Sequence, residues 1–157
     1  MSVVEDVIVI VEDDPDDRDL LSRAFKKAGT TVPLRFARDG DEAVSLLATM
    51  SASSEPRLHP LVILLDLKLP RRSGFEVLDW LKTHSALRTT PVVILTSSQQ
   101  DTDLSRAYAL GANSYLVKPT HPQDLQSLIS DINAYWLGRN EPAPRLLARP
   151  GHFEVRG

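Results

Sequence analysis

The chain has no cysteine among its 157 residues. That excludes disulfides, zinc–thiolate and iron–sulfur sites, and any thiol nucleophile. No apolar run approaches the ~20 residues that a membrane-spanning helix needs. The first six residues are acidic rather than basic, unlike a secretory leader, so the expected compartment is the cytoplasm. An excess of positive charge is also missing. Eighteen basic against 21 acidic side chains leave −3, which argues against a general nucleic-acid or membrane-surface binder. Neither an internal repeat nor a second domain is visible. What is present, 42% hydrophobic and 25% charged residues, is ordinary for one globular domain. A chain of this size can bury roughly 68–70% of its unfolded surface in a single core.

The distribution of charge says more than its sum. Residues 1–19 hold Glu5, Asp6, Glu12, Asp13, Asp14, Asp16, Asp17 and Asp19 against a single cation, Arg18. That segment stands at −7 and the remainder at +4. The acidity is local, and most of it directly follows an apolar run.

That run, Val7-Ile8-Val9-Ile10-Val11, is five β-branched residues without polar alternation. Such a segment suits a central strand of a parallel sheet, buried on both faces. Leu61-Val62-Ile63-Leu64-Leu65 and Val92-Val93-Ile94-Leu95 read alike, and residues 32–37 and 114–117 are weaker strands. Helices fill the gaps. Asp14 is placed to cap one with Pro15 at its first position; Leu20, Leu21, Ala24 and Phe25 share its face, and Gly29 ends it. Asp39-x-x-Glu42 and Ser73-x-x-Glu76 are capping boxes before apolar stretches. A further helix spans residues 101–110 and stops at Gly111, and the last opens at His121-Pro122. Five β-α repeats predict a doubly wound parallel α/β sheet covered by helices on both faces. Functional groups in such sheets collect at the carboxyl ends of the strands. Residues 51–60 read as an exposed Ser/Pro-rich loop, and residues 138–157 as a tail.

The strand ends carry the chemistry. The first runs into Glu12-Asp13, the third into Asp66, the fourth into Thr96-Ser97, and the fifth into Lys118-Pro119. Three carboxylates converging within ~5 Å repel by ~3 kcal/mol per pair at an effective dielectric of ~20, so the cluster calls for a cation. Hard oxygen donors in this number suit Mg²⁺. Asp13 and Asp14 can alternatively serve as helix caps, but Asp66, closing an apolar strand, has no such role. A carboxylate beside Mg²⁺, a hydroxyl and a lysine make a kit for phosphoryl transfer to aspartate. The carboxylate attacks, while Mg²⁺, Lys118 and the Thr96 hydroxyl neutralise the transferring oxygens. No general base for steady turnover of an external substrate is evident, so a turnover enzyme is not expected.

The chain resembles the receiver domain of two-component response regulators. The resemblance is carried by Val-Glu-Asp-Asp-Pro at 11–15, Asp66-Leu-Lys-Leu-Pro70 with Gly74, Leu95-Thr96-Ser97, and Gly111-Ala-Asn-Ser-Tyr115 leading to Lys118-Pro119. It spans residues ~5–137, taken as the receiver domain 1–137. It implies a flavodoxin-like five-stranded sheet of order 2-1-3-4-5 with five helices. It further implies Asp66 as phosphoacceptor, and a Mg²⁺ site of Glu12, Asp13, Asp66 and the Lys68 carbonyl. Thr96, Ser97 and Lys118 would contact the phosphoryl group, Thr96 and Tyr115 would form the switch, and Lys118–Pro119 would be a cis peptide. Glu12 departs from the aspartate of many receivers, and its longer arm is expected to reach the metal through water. Asp-Asp-Pro-Asp-Asp-Arg at 13–18, the Leu-Gly-Ala-Asn-Ser-Tyr stretch and Tyr135-Trp136-Leu137 resemble the single-domain regulators that accompany phytochrome-type histidine kinases. The partner that the resemblance implies is such a kinase. Separately, the apolar Leu146, Leu147, Phe153 and Val155 in the tail at 138–157, with Pro142 and Pro144 keeping it from helix, are expected to make it a dimerisation arm reaching a second copy of the chain. A contact through the fourth-helix face is the alternative dimer.

Neighbouring readings fail on particular residues. A flavin-nucleotide binder of this fold needs a Gly- and hydroxyl-rich phosphate loop where this chain has acids. A haloacid-dehalogenase-type phosphatase needs Asp-x-Asp-x-Thr/Val, and Asp17 and Arg18 follow Asp16 instead. Residues 13–24 lack the Gly and terminal Glu of an EF-hand loop. The 20 residues after Leu137 are too few for a DNA-binding output domain. Arg71-Arg72 reads as a solvated loop pair, Ser98 as a loop residue near the path of a hydrolytic water, and the four histidines as surface or capping groups. For Tyr135-Trp136, core packing and partner contact stay equally open.

Overall fold

Successive strand residues point to opposite faces of a sheet, and the apolar runs of this chain fill both. The computed structural model describes residues 4–52 and 57–143. In chain order the elements are β1 (Val4–Val11), α1 (Pro15–Lys27), β2 (Leu34–Ala37), α2 (Gly40–Ser51), β3 (Arg57–Leu65), α3 (Gly74–Thr83), β4 (Val92–Thr96), α4 (Asp101–Ala109), β5 (Ser114–Val117) and α5 (Pro122–Ile132). A single π-helical turn, Asn133–Leu137, prolongs α5. The strands are all parallel, in the order β2-β1-β3-β4-β5. This is the flavodoxin-like architecture expected from the sequence.

One face buries Val7, Val9, Val11, Ile63, Leu65, Val92 and Ile94 against α2, α3 and Ala107 of α4. The other buries Ile8, Ile10, Val62, Leu64, Val93 and Leu95 against Leu21, Phe25, Leu125 and Ile129 of α1 and α5. Each such side chain contributes ~1.5–3 kcal/mol on leaving water. The predicted caps form. Asp14 accepts from the Asp16 amide, Asp39 from Glu42 and Ser73 from Glu76. Gly29, at φ +80°, takes the left-handed turn that ends α1.

The expected loop at 51–60 is shorter than that. Ser51 still belongs to α2, and β3 begins at Arg57. The early part of β3 pairs with β1 alone, since β4 joins only at Ile63. A strand open on one side accepts a polar residue such as His59, and also Pro60, which has no amide to donate. Leu61 is skipped in the register with β1, where Val7 faces Pro60 and Ile8 faces Val62, a bulge beside the proline. Likewise β2 starts at Leu34, not at residue 32. Trp136 packs on the α1/α5 core, while Tyr135 stays 53% exposed. The arm residues Leu146, Leu147, Phe153 and Val155 lie outside the described residues. Among the described residues no helix is long and apolar enough to cross a membrane.

Candidate functional site

Because the strands are parallel, the residues following β1, β3, β4 and β5 emerge at one end of the sheet. Glu12, Asp13 and Asp66 meet there, each offering a carboxylate oxygen within 4.8 Å of the others. Glu12 and Asp66 are buried, at 2% and 7% exposure, while Asp13 is exposed. The Asp66 amide donates to the Val11 carbonyl at 3.1 Å, which locks the third strand end to the first. Its Oδ1 accepts from the Lys68 amide at 3.2 Å, leaving Oδ2 to face the lysine.

Lys118 follows β5, its amide donating to the Thr96 carbonyl at 2.7 Å. Its Nζ donates to Glu12 Oε1, to Asp17 Oδ2 at 3.0 Å and to Asp66 Oδ2 at 3.2 Å. Burial alone pulls its pKa down. The hydrogen bonds it donates to Glu12 and Asp17 and the charges of Asp66 and Glu12 more than reverse this, so the lysine stands above its ordinary value as an ammonium. Burial pushes the Glu12 carboxyl up, against the opposing pull of Lys118 and of the Asp14 amide at 3.1 Å.

Thr96 is fully buried and its hydroxyl has no hydrogen-bond partner among the described residues. A buried unpartnered hydroxyl costs about 1–3 kcal/mol, and at this strand end it is a donor in wait for an oxygen. Ser97 lies exposed on the following loop. Ser98 lies on the same loop, as expected, and is buried. Its hydroxyl donates to Asp103 at 2.6 Å, and its carbonyl accepts the Tyr115 hydroxyl at 3.0 Å. Tyr115 pairs in register with Ile94, two residues before Thr96, so Thr96 and Tyr115 project from the same face. His59 pairs with Asp6 at the opposite end of the sheet, and His84 stacks on Trp80 at the end of α3.

The loop after β3 is wedged in place. A Cβ on Gly74 would lie 2.2 Å from the Asp66 carbonyl oxygen, and one on Gly40 would lie 1.8 Å from that of Arg72. The arginine pair sits on this loop in contact with solvent, as expected, and each arginine meets an acid. Arg72 reaches Asp41 at 3.3 Å and Arg71, at φ +64°, reaches Asp39 at 3.7 Å. Two further residues escaped sequence reasoning. Arg18 donates from Nη1 to the Glu12 and Asp13 carbonyls, both at 2.9 Å, and Asp17 holds Lys118. Both sit in an acidic run read as a helix start and as part of the family resemblance, without a site role for either. The three carboxylates, the unpartnered hydroxyl and the lysine fit a hard divalent cation and an anionic ligand together.

The sequence profile of the response regulator receiver domain matches residues 8–130. The chain is 42% identical over 139 residues to the probable methanogenesis regulatory protein FilR2 of Methanothrix harundinacea, covering 88% of each. It is 36% identical over 132 residues to the response regulator Rcp1 of Synechocystis, covering 83% of this chain and 88% of Rcp1. The solved Mn²⁺-bound form of response regulator Rcp1 matches with a TM-score of 0.78 at 34% identity, covering 88% of this chain and 99% of that one. The phosphorylated cyanobacterial phytochrome response regulator RcpA matches at 0.77 and 32%, covering 92% and 100%.

Proposed function

The chain belongs to the response regulator receiver domain family, and from that premise we propose that it is a single-domain response regulator phosphorylated on Asp66 by a histidine kinase of the phytochrome type. The observation that carries this reading is the placement of Asp66, buried between an acidic pair and Lys118 at the carboxyl end of β3. Likeness over nearly the full length of Rcp1 and RcpA supports the single-domain and phytochrome assignments.

An Asp66 carboxylate oxygen attacks the phosphorus of a phosphohistidine. The O–P bond forms as the N–P bond breaks, and its electron pair leaves on the imidazole nitrogen. Glu12, Asp13, Asp66 and the Lys68 carbonyl would hold Mg²⁺, which would supply charge neutralisation to the transferring oxygens. Lys118 and the Thr96 hydroxyl take the remaining phosphoryl oxygens, with Ser97 at the rim. Once Thr96 turns to the phosphoryl group, Tyr115 leaves the Ser98 carbonyl for the space vacated. That biases α4 and β5 toward a second arrangement through one new charge. Leu104 and Tyr108, one turn apart on α4, and Val117 on β5 are exposed apolar groups that this shift would re-present to a target or a second copy.

Transfer from an autophosphorylated phytochrome-type kinase, followed by amide chemical shifts, tests both steps. Wild type is expected to take the label and shift amides across α4 and β5. Thr96→Ala should take the label while those amides stay put. Preferential transfer from another kinase class overturns the phytochrome assignment, and equal amide shifts in both proteins overturn the coupling.

A further inference from the structure

An ammonium has three N–H donors, and Lys118 spends all three on carboxylates, those of Glu12, Asp17 and Asp66. The first and last belong to the acidic trio within 4.8 Å. Asp17 does not. It stands on α1, one turn beyond Asp13, with a side chain one-third exposed, at 33%. We propose that Asp17 is a positioning residue that keeps the Lys118 ammonium at the phosphorylation site while Glu12 and Asp66 are engaged in the chemistry. The inference rests on Asp66 as the acceptor.

When Glu12 serves as a metal ligand and Asp66 carries a phosphoryl group, both of these lysine contacts are lost or rebuilt. Asp17 is then the one of the three carboxylates still free to hold Nζ. A lysine is a point charge on a flexible four-carbon stem, and here the side chain is only 16% exposed. Tethered at one N–H, it turns its other two donors to phosphoryl oxygens without a search. Untethered, it swings among the remaining carboxylates and competes with the cation for them. Asp17 also lies near the start of α1, where any carboxylate favours the helix dipole. That role is served by charge alone and needs no lysine, so the two can be separated.

The experiment has two arms. In the metal-free protein, ¹⁵N-detected NMR of lysine Nζ should show Lys118 as a slowly exchanging ammonium that is lost in Asp17→Ala and regained in Asp17→Glu. With acetyl phosphate and Mg²⁺, phosphorylation of Asp17→Ala should slow about tenfold, the scale of lost outer-shell support, and recover in Asp17→Glu. In a Lys118→Met background the Asp17→Ala change should have no further effect. Slowing of equal size in that background, or a Lys118 signal unchanged in Asp17→Ala, overturns the proposal. Absence of phosphorylation in wild type itself overturns the Asp66 reading instead, and the NMR arm still decides whether Asp17 holds the lysine.

Discussion

Asp13→Asn is expected to melt higher than wild type in the absence of divalent cations, and to accept phosphoryl groups at least ~100-fold more slowly in their presence. Both follow from one cause. Glu12, Asp13 and Asp66 crowd three like charges within 4.8 Å. Asp13 is the exposed member, so solvent screening leaves ~1 kcal/mol of relief on its neutralisation. In a chain of this length that is a rise of about 2–4 °C. In the proposed metal site the same carboxylate would contact the cation directly, and even outer-shell partners of a metal are worth roughly 10–100-fold. Wild type should gain ~2.7 kcal/mol from Mg²⁺ at a hundred times its Kd, about 5–10 °C in Tm, and Asp13→Asn almost none. Scanning calorimetry with and without Mg²⁺, beside intact-mass kinetics, checks both. A wild-type Mg²⁺ shift in Asp13→Asn removes that residue from the metal site.

Gly74→Ala is expected to damage the site through the backbone. The added Cβ meets the Asp66 carbonyl oxygen at 2.2 Å and the Leu67 Cα at 2.6 Å. Neither atom is the end of a flexible side chain, so the strand end itself must shift. Overpacking of this kind costs ~1–3 kcal/mol, a Tm loss of about 2–12 °C. The functional loss should be larger in proportion. Misplacing a reacting group by ~1 Å can cost 10²-fold, and Asp66 is the residue displaced. Calorimetry and the phosphorylation rate measured on one preparation check this. A slow rate at unchanged Tm, or the reverse, breaks the link between the glycine contact and the placement of Asp66.

The sheet was legible because its central strands are continuous β-branched and apolar runs, and because Asp14, Asp39 and Ser73 mark helix starts by local chemistry. The beginning of β3 was not. Among the described residues Arg57, Leu58, His59 and Pro60 pair with β1 alone, and an arginine, a histidine and a proline so close together read as a loop. The site residues stood at strand ends, where an acid, a hydroxyl or a lysine after an apolar run is conspicuous. Asp17 and Arg18 were hidden in a charge run. The Asp17–Lys118 contact joins residues 101 apart in the chain, and no periodicity carries such information. The Gly40–Arg72 contact likewise depends on the start of α2 meeting the loop after β3, which no local pattern signals.

Intact mass after acetyl phosphate and Mg²⁺, on wild type and Asp66→Asn side by side, tests Asp66 as phosphoacceptor most directly. One added phosphoryl group on wild type and none on Asp66→Asn is the predicted result. A full phosphoryl adduct on Asp66→Asn would contradict it.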